Sequence, residues 1–133
     1  MPAKKKSASA AKTKSVAKQI IGSSEGVRIT LDDSPRKTLT LETPGGHKIT
    51  LSDTPMVIDI TDSSGNTVKL DPSGITIRAS AKVTIFAAEL KVNASAVNID
   101  SPVSKFSGAI QCDTLVTNSV ASASYTPGAG NIW

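Results

Sequence analysis

Few residues in this chain are of a type and spacing that would carry out chemistry. It holds one histidine, His47, and one cysteine, Cys112, among 133 residues. General acid–base or nucleophilic catalysis needs a base, a nucleophile and an orienting group held together. His47 has no such partners nearby in sequence and reads as a surface residue flanking a turn. Two carboxylate clusters stand out, Asp32-Asp33 and Asp59 with Asp62. Such pairs can bind calcium or share a proton. Here they fall in turn-forming stretches, where Asp bonds back to its own backbone, so turn and surface roles are expected. Gly45-Gly46 precedes a strand-like run and not a helix, so it does not resemble a phosphate-binding loop. Cys112 lies in phase with Ile110 and reads as a small buried hydrophobe, and a single cysteine excludes an intrachain disulfide. No catalytic, cofactor-binding or metal-ligating residue is expected, and the chain does not read as an enzyme.

The remaining charge is concentrated at the start. Lys4, Lys5, Lys6, Lys12, Lys14 and Lys18 lie among Ser and Ala, with no acidic residue before position 20. Such a segment buries little apolar surface by itself and reads as a basic arm. Lysines can neutralise phosphates, but no aromatic residue interleaves them, so no specific nucleic-acid site is expected. No apolar run reaches the roughly 18 residues of a membrane span. No continuous apolar segment follows the lysines to make a secretory signal, so assembly in the cytoplasm without a signal peptide is expected.

The elements that position these residues are all β. Apolar residues fall at Val27/Ile29/Leu31, Leu39/Leu41, Ile49/Leu51, Ile58/Ile60 and Val68/Leu70. This is the alternation of strands with one apolar face. Turn sequences separate them: Asp32-Asp33-Ser34-Pro35, Thr43-Pro44-Gly45-Gly46, Asp53-Thr54-Pro55 and Asp62 through Asn66. The spacing predicts an antiparallel meander over 25–73, after an arm and attachment segment at 1–24. From position 74 the beat tightens to seven or eight residues: Ile75/Ile77, Val83/Ile85, Leu90/Val92, Val97/Ile99. The turns shrink to small residues such as Ala79–Ala81 and Ala87-Ala88. Val103, Phe106, Ile110, Cys112, Leu115 and Val120 continue an apolar face less regularly.

Seven or eight residues make one strand and one corner, whereas a single-chain β-solenoid needs roughly 20 or more per turn. Three chains each giving one strand per layer would complete a turn. The expected fold is therefore an all-β homotrimer, an intertwined β-helix over 74–133 preceded by the meander. Its core would be Ile75, Ile77, Val83, Ile85, Leu90, Val92, Val97 and Ile99. Aromatic residues are 3% of the chain, which suits a narrow lumen with room for few large side chains. The lone Tyr125 and Trp133, with Ile132, would close the far end or meet a partner there.

The run Ile29-Thr-Leu-Asp-Asp-Ser-Pro through Gly65-Asn66, Asp71-Pro-Ser-Gly74 and Ile75-Thr-Ile resembles the spike region of phage baseplate assembly protein V and VgrG proteins. The ending Tyr125-Thr-Pro-Gly-Ala-Gly-Asn-Ile-Trp133 is similar to spikes of contractile tails. The resemblance spans roughly residues 25–133 and implies a central spike under a baseplate hub, driven through an outer membrane or other envelope when a sheath contracts. It implies a hub or tube partner at the N-terminal end, reached here through Lys14, Lys18, Ile20 and Ile21, because 19 arm residues cannot encode the OB-fold that usually mounts such spikes. A His-x-His iron motif is absent, so a separate PAAR-like tip protein would be the partner at the other end. Two alternatives are a trimeric tail fibre or adhesin, which should end in an aromatic-rich head, and a bactofilin-like scaffold, whose repeats are longer.

Overall fold

The computed structural model describes residues 17–124. Seven strands follow one another: β1 (Lys18–Gly22), β2 (Arg28–Asp32), β3 (Thr38–Glu42), β4 (Lys48–Asp53), β5 (Met56–Thr61), β6 (Thr67–Asp71) and β7 (Gly74–Arg78). They form one antiparallel sheet in the order β1-β2-β3-β4-β5-β6-β7. The described residues contain no helix.

The sheet is longer at both ends than the stretch 25–73 expected from sequence. Lys18, Ile20 and Ile21, within the attachment segment expected at 1–24, lie in β1, where Ile21 stands opposite Ile29. Ile75 and Ile77, read from sequence as the first rung of a shaft, pair with Leu70 and Val68 across the β6–β7 hairpin. The reason is local. Asp71 and Gly74 are paired directly, Gly74 takes a φ of 136°, and the Asp71 carboxylate accepts from the Ser73 N–H at 2.8 Å. That is a two-residue reversal in which glycine supplies the backbone freedom.

Three of the turns repeat one design. In Ser23–Val27, Thr43–His47 and Asp62–Asn66 the glycine at the fourth position donates its N–H to the first carbonyl, at 3.2, 3.0 and 3.3 Å. Gly26, Gly46 and Gly65 have φ values of 90°, 84° and 83°, a region that L-residues enter only with strain. The side-chain oxygen of the first residue accepts the fifth N–H in each, from Val27, His47 and Asn66. Successive turns also pack together: a Cβ on Gly26 would lie 3.1 Å from Pro44 Cγ, and one on Gly46 would lie 3.3 Å from Ser63 Cβ. At the other end the β4–β5 turn contains a cis Thr54-Pro55 bond, the geometry of a type VI turn.

The chain divides into two units, Met1–Ala88 and Glu89–Trp133. The first holds the sheet. From Ala79 to Ser124 the described backbone forms no strand and, beyond Ser80, bonds to no other part of the chain, bending at Ser80-Ala81, Ala88, Ser95, Pro102, Ser107-Gly108, Asp113, Asn118 and Ala123.

Candidate functional site: an uncovered apolar face

The register of the sheet gathers its apolar residues on one side. Because alternate residues face opposite ways, the pairings run Ile29–Leu41–Ile49–Ile60–Val68–Ile77 in one ladder and Leu31–Leu39–Leu51–Ile58–Leu70–Ile75 in the next. On the opposite side the corresponding ladders are Thr30–Thr40–Thr50–Asp59–Lys69–Thr76 and Arg28–Glu42–Lys48–Thr61–Thr67–Arg78. Glu42 lies between two cations, 3.3 Å from Lys48 Nζ and 3.9 Å from Arg28 Nε. Lys18 and Asp32 pair at 3.9 Å.

The sheet has no buried face of its own. No described side chain is buried. In the apolar ladders Leu31, Leu41, Ile49, Leu51, Ile58 and Ile60 are exposed, while Ile29, Leu39, Val68 and Leu70 are half-covered, as are Thr30, Thr40 and Thr50 on the other side. A single sheet layer cannot bury its own face, and two or more layers are the usual solution. Each such side chain, once covered, contributes about 1.5–3 kcal/mol. An apolar face of this extent marks an association surface.

A groove of ≈ 610 Å³ runs along the first ladder, with Ile29, Leu41, Ile49, Ile60 and Ile77 on its floor and Val83 at its end. His47, Asp62 and Asn66 stand at its turn-side edge. These groups are tied up in structure. Asp62 Oδ1 accepts the N–H groups of Ser64 and Asn66 at 2.9 and 2.8 Å, and Asp62 Oδ2 accepts from Asn66 Nδ2 at 2.7 Å. The Asn66 side chain, then its backbone, holds the Asp62 carboxyl below its ordinary range, and His47 adds a small push the same way. Asp59 is not beside Asp62. It projects on the polar side opposite Lys69 and accepts from the Thr61 hydroxyl at 3.2 Å. Asp32 accepts from the Ser34 N–H at 3.0 Å. Among the described residues, no three His, Cys, Asp or Glu side chains converge.

Asp71 carries the largest perturbation. The Ser73 hydroxyl and then the Lys69 ammonium, 2.9 Å away, lower its pKa to about 2. Lys69 is raised in turn, chiefly by the Asp71 carboxylate. Lys69 is exposed and Asp71 half-covered, and the two act as a turn clasp.

Along the extended segment, Val83, Ile85, Leu90, Val92, Val97 and Ile99 keep their two-residue alternation and are all exposed in the protomer. Cys112 is exposed in the protomer too, like the apolar residues with which it is in phase: nothing within the protomer covers this part of the chain. Lys14, Tyr125, Ile132 and Trp133 lie outside the described residues.

Sequence reading missed the repeated turn and the Asn66 junction, where Asn66 Oδ1 accepts the Ser80 N–H at 2.9 Å. The turn had a signal, a Ser, Thr or Asp three residues before Gly at 23, 43 and 62. Apolar spacing alone splits it between hairpins.

Comparison with known families matches residues 38–109 to the phage baseplate V C-terminal trimerisation domain. No curated protein matches the chain.

Proposed function

The chain belongs to the phage baseplate V C-terminal trimerisation family, a structural part of phage baseplates that self-associates into trimers, and on that premise we propose that it is the central spike of a contractile tail or injection system. The observation that carries this reading is the uncovered apolar face. A seven-stranded sheet with no buried residue in either apolar ladder of the protomer needs further copies of itself to become stable. Three sheets would enclose a prism through their apolar ladders. Beyond Ser80 the three chains would wind into an intertwined β-helix whose core includes Val83, Ile85, Leu90, Val92, Val97 and Ile99, and folding would be inseparable from trimerisation.

The work of such a part is mechanical. Continuous hydrogen-bonded layers with close-packed interiors resist local unfolding, so a thin trimer transmits thrust from a contracting sheath to a small area of envelope. No turnover and no cofactor enter the mechanism. The basic arm, with Lys14, and strand β1, with Lys18, Ile20 and Ile21, would attach the spike to the hub or tube. Tyr125, Ile132 and Trp133 would close the distal end or seat a PAAR-like tip protein.

Deletion of residues 1–19 tests the reading. The truncated chain should still form a trimer by native mass spectrometry and be missing from assembled particles. A folded monomer of the full chain at micromolar concentration would overturn the spike reading, and normal incorporation of the truncated chain would move the attachment to the sheet. A His47→Ala chain should assemble and inject normally. Normal assembly with lost injection would refute a purely mechanical role.

A further inference from the structure

The bends of the extended segment do not keep one spacing. With the two-residue bends at Ser80-Ala81 and Ser107-Gly108 counted from their second residue, they fall at 81, 88, 95 and 102, seven residues apart, and then at 108, 113, 118 and 123, five residues apart. In both stretches the position two residues after a bend carries the apolar beat: Val83, Leu90 and Val97 in the first, Ile110, Leu115 and Val120 in the second. The position two further on is also kept, as Ile85, Val92 and Ile99 and then as Cys112, Thr117 and Ser122. What disappears is the pair of residues between that second position and the next bend.

Side chains change with the spacing. Each seven-residue repeat has two large apolar residues in phase, such as Leu90 and Val92, while each five-residue repeat has one large and one small residue, such as Leu115 and Thr117. Thr117 and Ser122 stand just before their bends and donate their hydroxyls to the carbonyls of Ser119 and Ser124, at 3.0 and 2.5 Å. Ser101, just before the bend at Pro102, does the same to Val103 at 2.6 Å. A hydroxyl that bonds across the bend satisfies a carbonyl at a tight corner. The out-of-phase Phe86 and Val116 are 95% and 91% exposed, against 66% and 70% for the in-phase Leu90 and Leu115, which fixes the phase on both sides of the change.

Resting on the trimeric reading above, we infer that the shaft has two cross-sections, wide where each face is seven residues long and narrow where each face is five, with the step between Pro102 and Gly108. At about 3.3 Å per residue in a strand, a face shortens from about 23 to about 17 Å. The lumen loses one large side chain per face over the same interval, so the narrower section stays filled. Pro102, which fixes its own φ, and Gly108, which tolerates unusual φ, bracket the change. The five-residue section would be the point of the spike and would set the size of any partner seated beyond it.

Spin labels on symmetry-related corners read this directly. In the full-length Cys112→Ser chain, labels at Ser95→Cys and Asn118→Cys report the side of the triangle at one wide and one narrow layer by pulsed dipolar spectroscopy. Cys112→Ser places at that position the residue type already present at the equivalent Ser122. The distance at 118 should be shorter than at 95 by about 6 Å, the difference in face length, and Ala88→Cys and Ala123→Cys should repeat that shift as an independent pair. Equal distances in chains that remain trimeric by native mass spectrometry overturn the step alone. A labelled chain that stays monomeric, as does its unlabelled parent, overturns the trimeric reading and the step with it.

Discussion

Asn66 Oδ1 accepts the Ser80 N–H at 2.9 Å while Asn66 Nδ2 donates to Asp62 Oδ2 at 2.7 Å. One side chain thus joins the third repeated turn to the point at which the chain leaves the sheet. The Ser80 hydroxyl donates to the same Asn66 oxygen at 3.3 Å.

Asn66→Ala should therefore loosen the exit without dissolving the sheet. The lost bonds are worth about 0.5–1.5 kcal/mol each. Hydrogen exchange at the amides of 79–82 should accelerate severalfold, while those of β3 and β4 stay protected. Unchanged exchange at Ser80 would show that the junction does not hold the exit.

The stacked turns make unequal demands on their glycines. A Cβ on Gly65 would meet nothing within 4 Å, whereas one on Gly46 would meet Ser63 Cβ at 3.3 Å, and both glycines have positive φ. Gly65→Ala should cost about 1 kcal/mol for the backbone conformation, and Gly46→Ala should cost more because turn packing must also give. Unfolding rates of the two variants in denaturant give the comparison. Equal rates would show that the turns do not support each other.

Thr76 and Ile77 are adjacent in β7 but lie on opposite sides of the sheet, Thr76 opposite Lys69 and Ile77 opposite Val68. Thr76→Asp should leave the trimer intact, since it gains a cationic neighbour. Ile77→Asp should abolish the trimer, as should Ile85→Asp, because burying three unpaired carboxylates costs several kcal/mol apiece. Native mass spectrometry of the pair separates a face-specific interface from general intolerance to charge in β7.

Asp71 supplies a pH prediction. Its pKa in the folded chain is about 2, below the ordinary 3.8, so the folded state favours the ionised form. The associated stability is fully present above about pH 4 and is lost as pH falls through about 2. Asp71→Asn should remove this contribution, so the variant unfolds faster than the parent at pH 7, and the two rates should converge as pH falls from 4 through about 2. Unfolding rates measured across that interval check it.

Much of the sheet was legible in sequence because its two signals agree. Apolar alternation names the strands, and Pro, Gly, Asn and Asp name the turns between them. The strand ends were less legible. Ile75 and Ile77 have the same spacing as Val83 and Ile85, and only the reversal at Asp71–Gly74 places them in the sheet. The face itself could be read from alternation, but that it stays uncovered could not, since burial depends on what else the chain packs against it. Asn66 was hidden for another reason: hydrogen bonds by short polar side chains leave no periodic trace in hydropathy. The five-residue beat of Ile110, Leu115 and Val120 is present in the sequence, but its in-phase partners Cys112, Thr117 and Ser122 are small or polar and blur it.

Every strand pairs with its immediate sequence neighbour, so hairpins can zip up on one chain from local contacts, which is fast. On the proposed reading, encounter between chains then follows, and winding comes last. That sequence of events solves an indexing problem. Three identical chains with a repeating beat would wind equally well when offset by one repeat, and the offset would persist to the end. Sheets already shaped and matched edge to edge present three Ser80 starting points at one level, so winding begins in step.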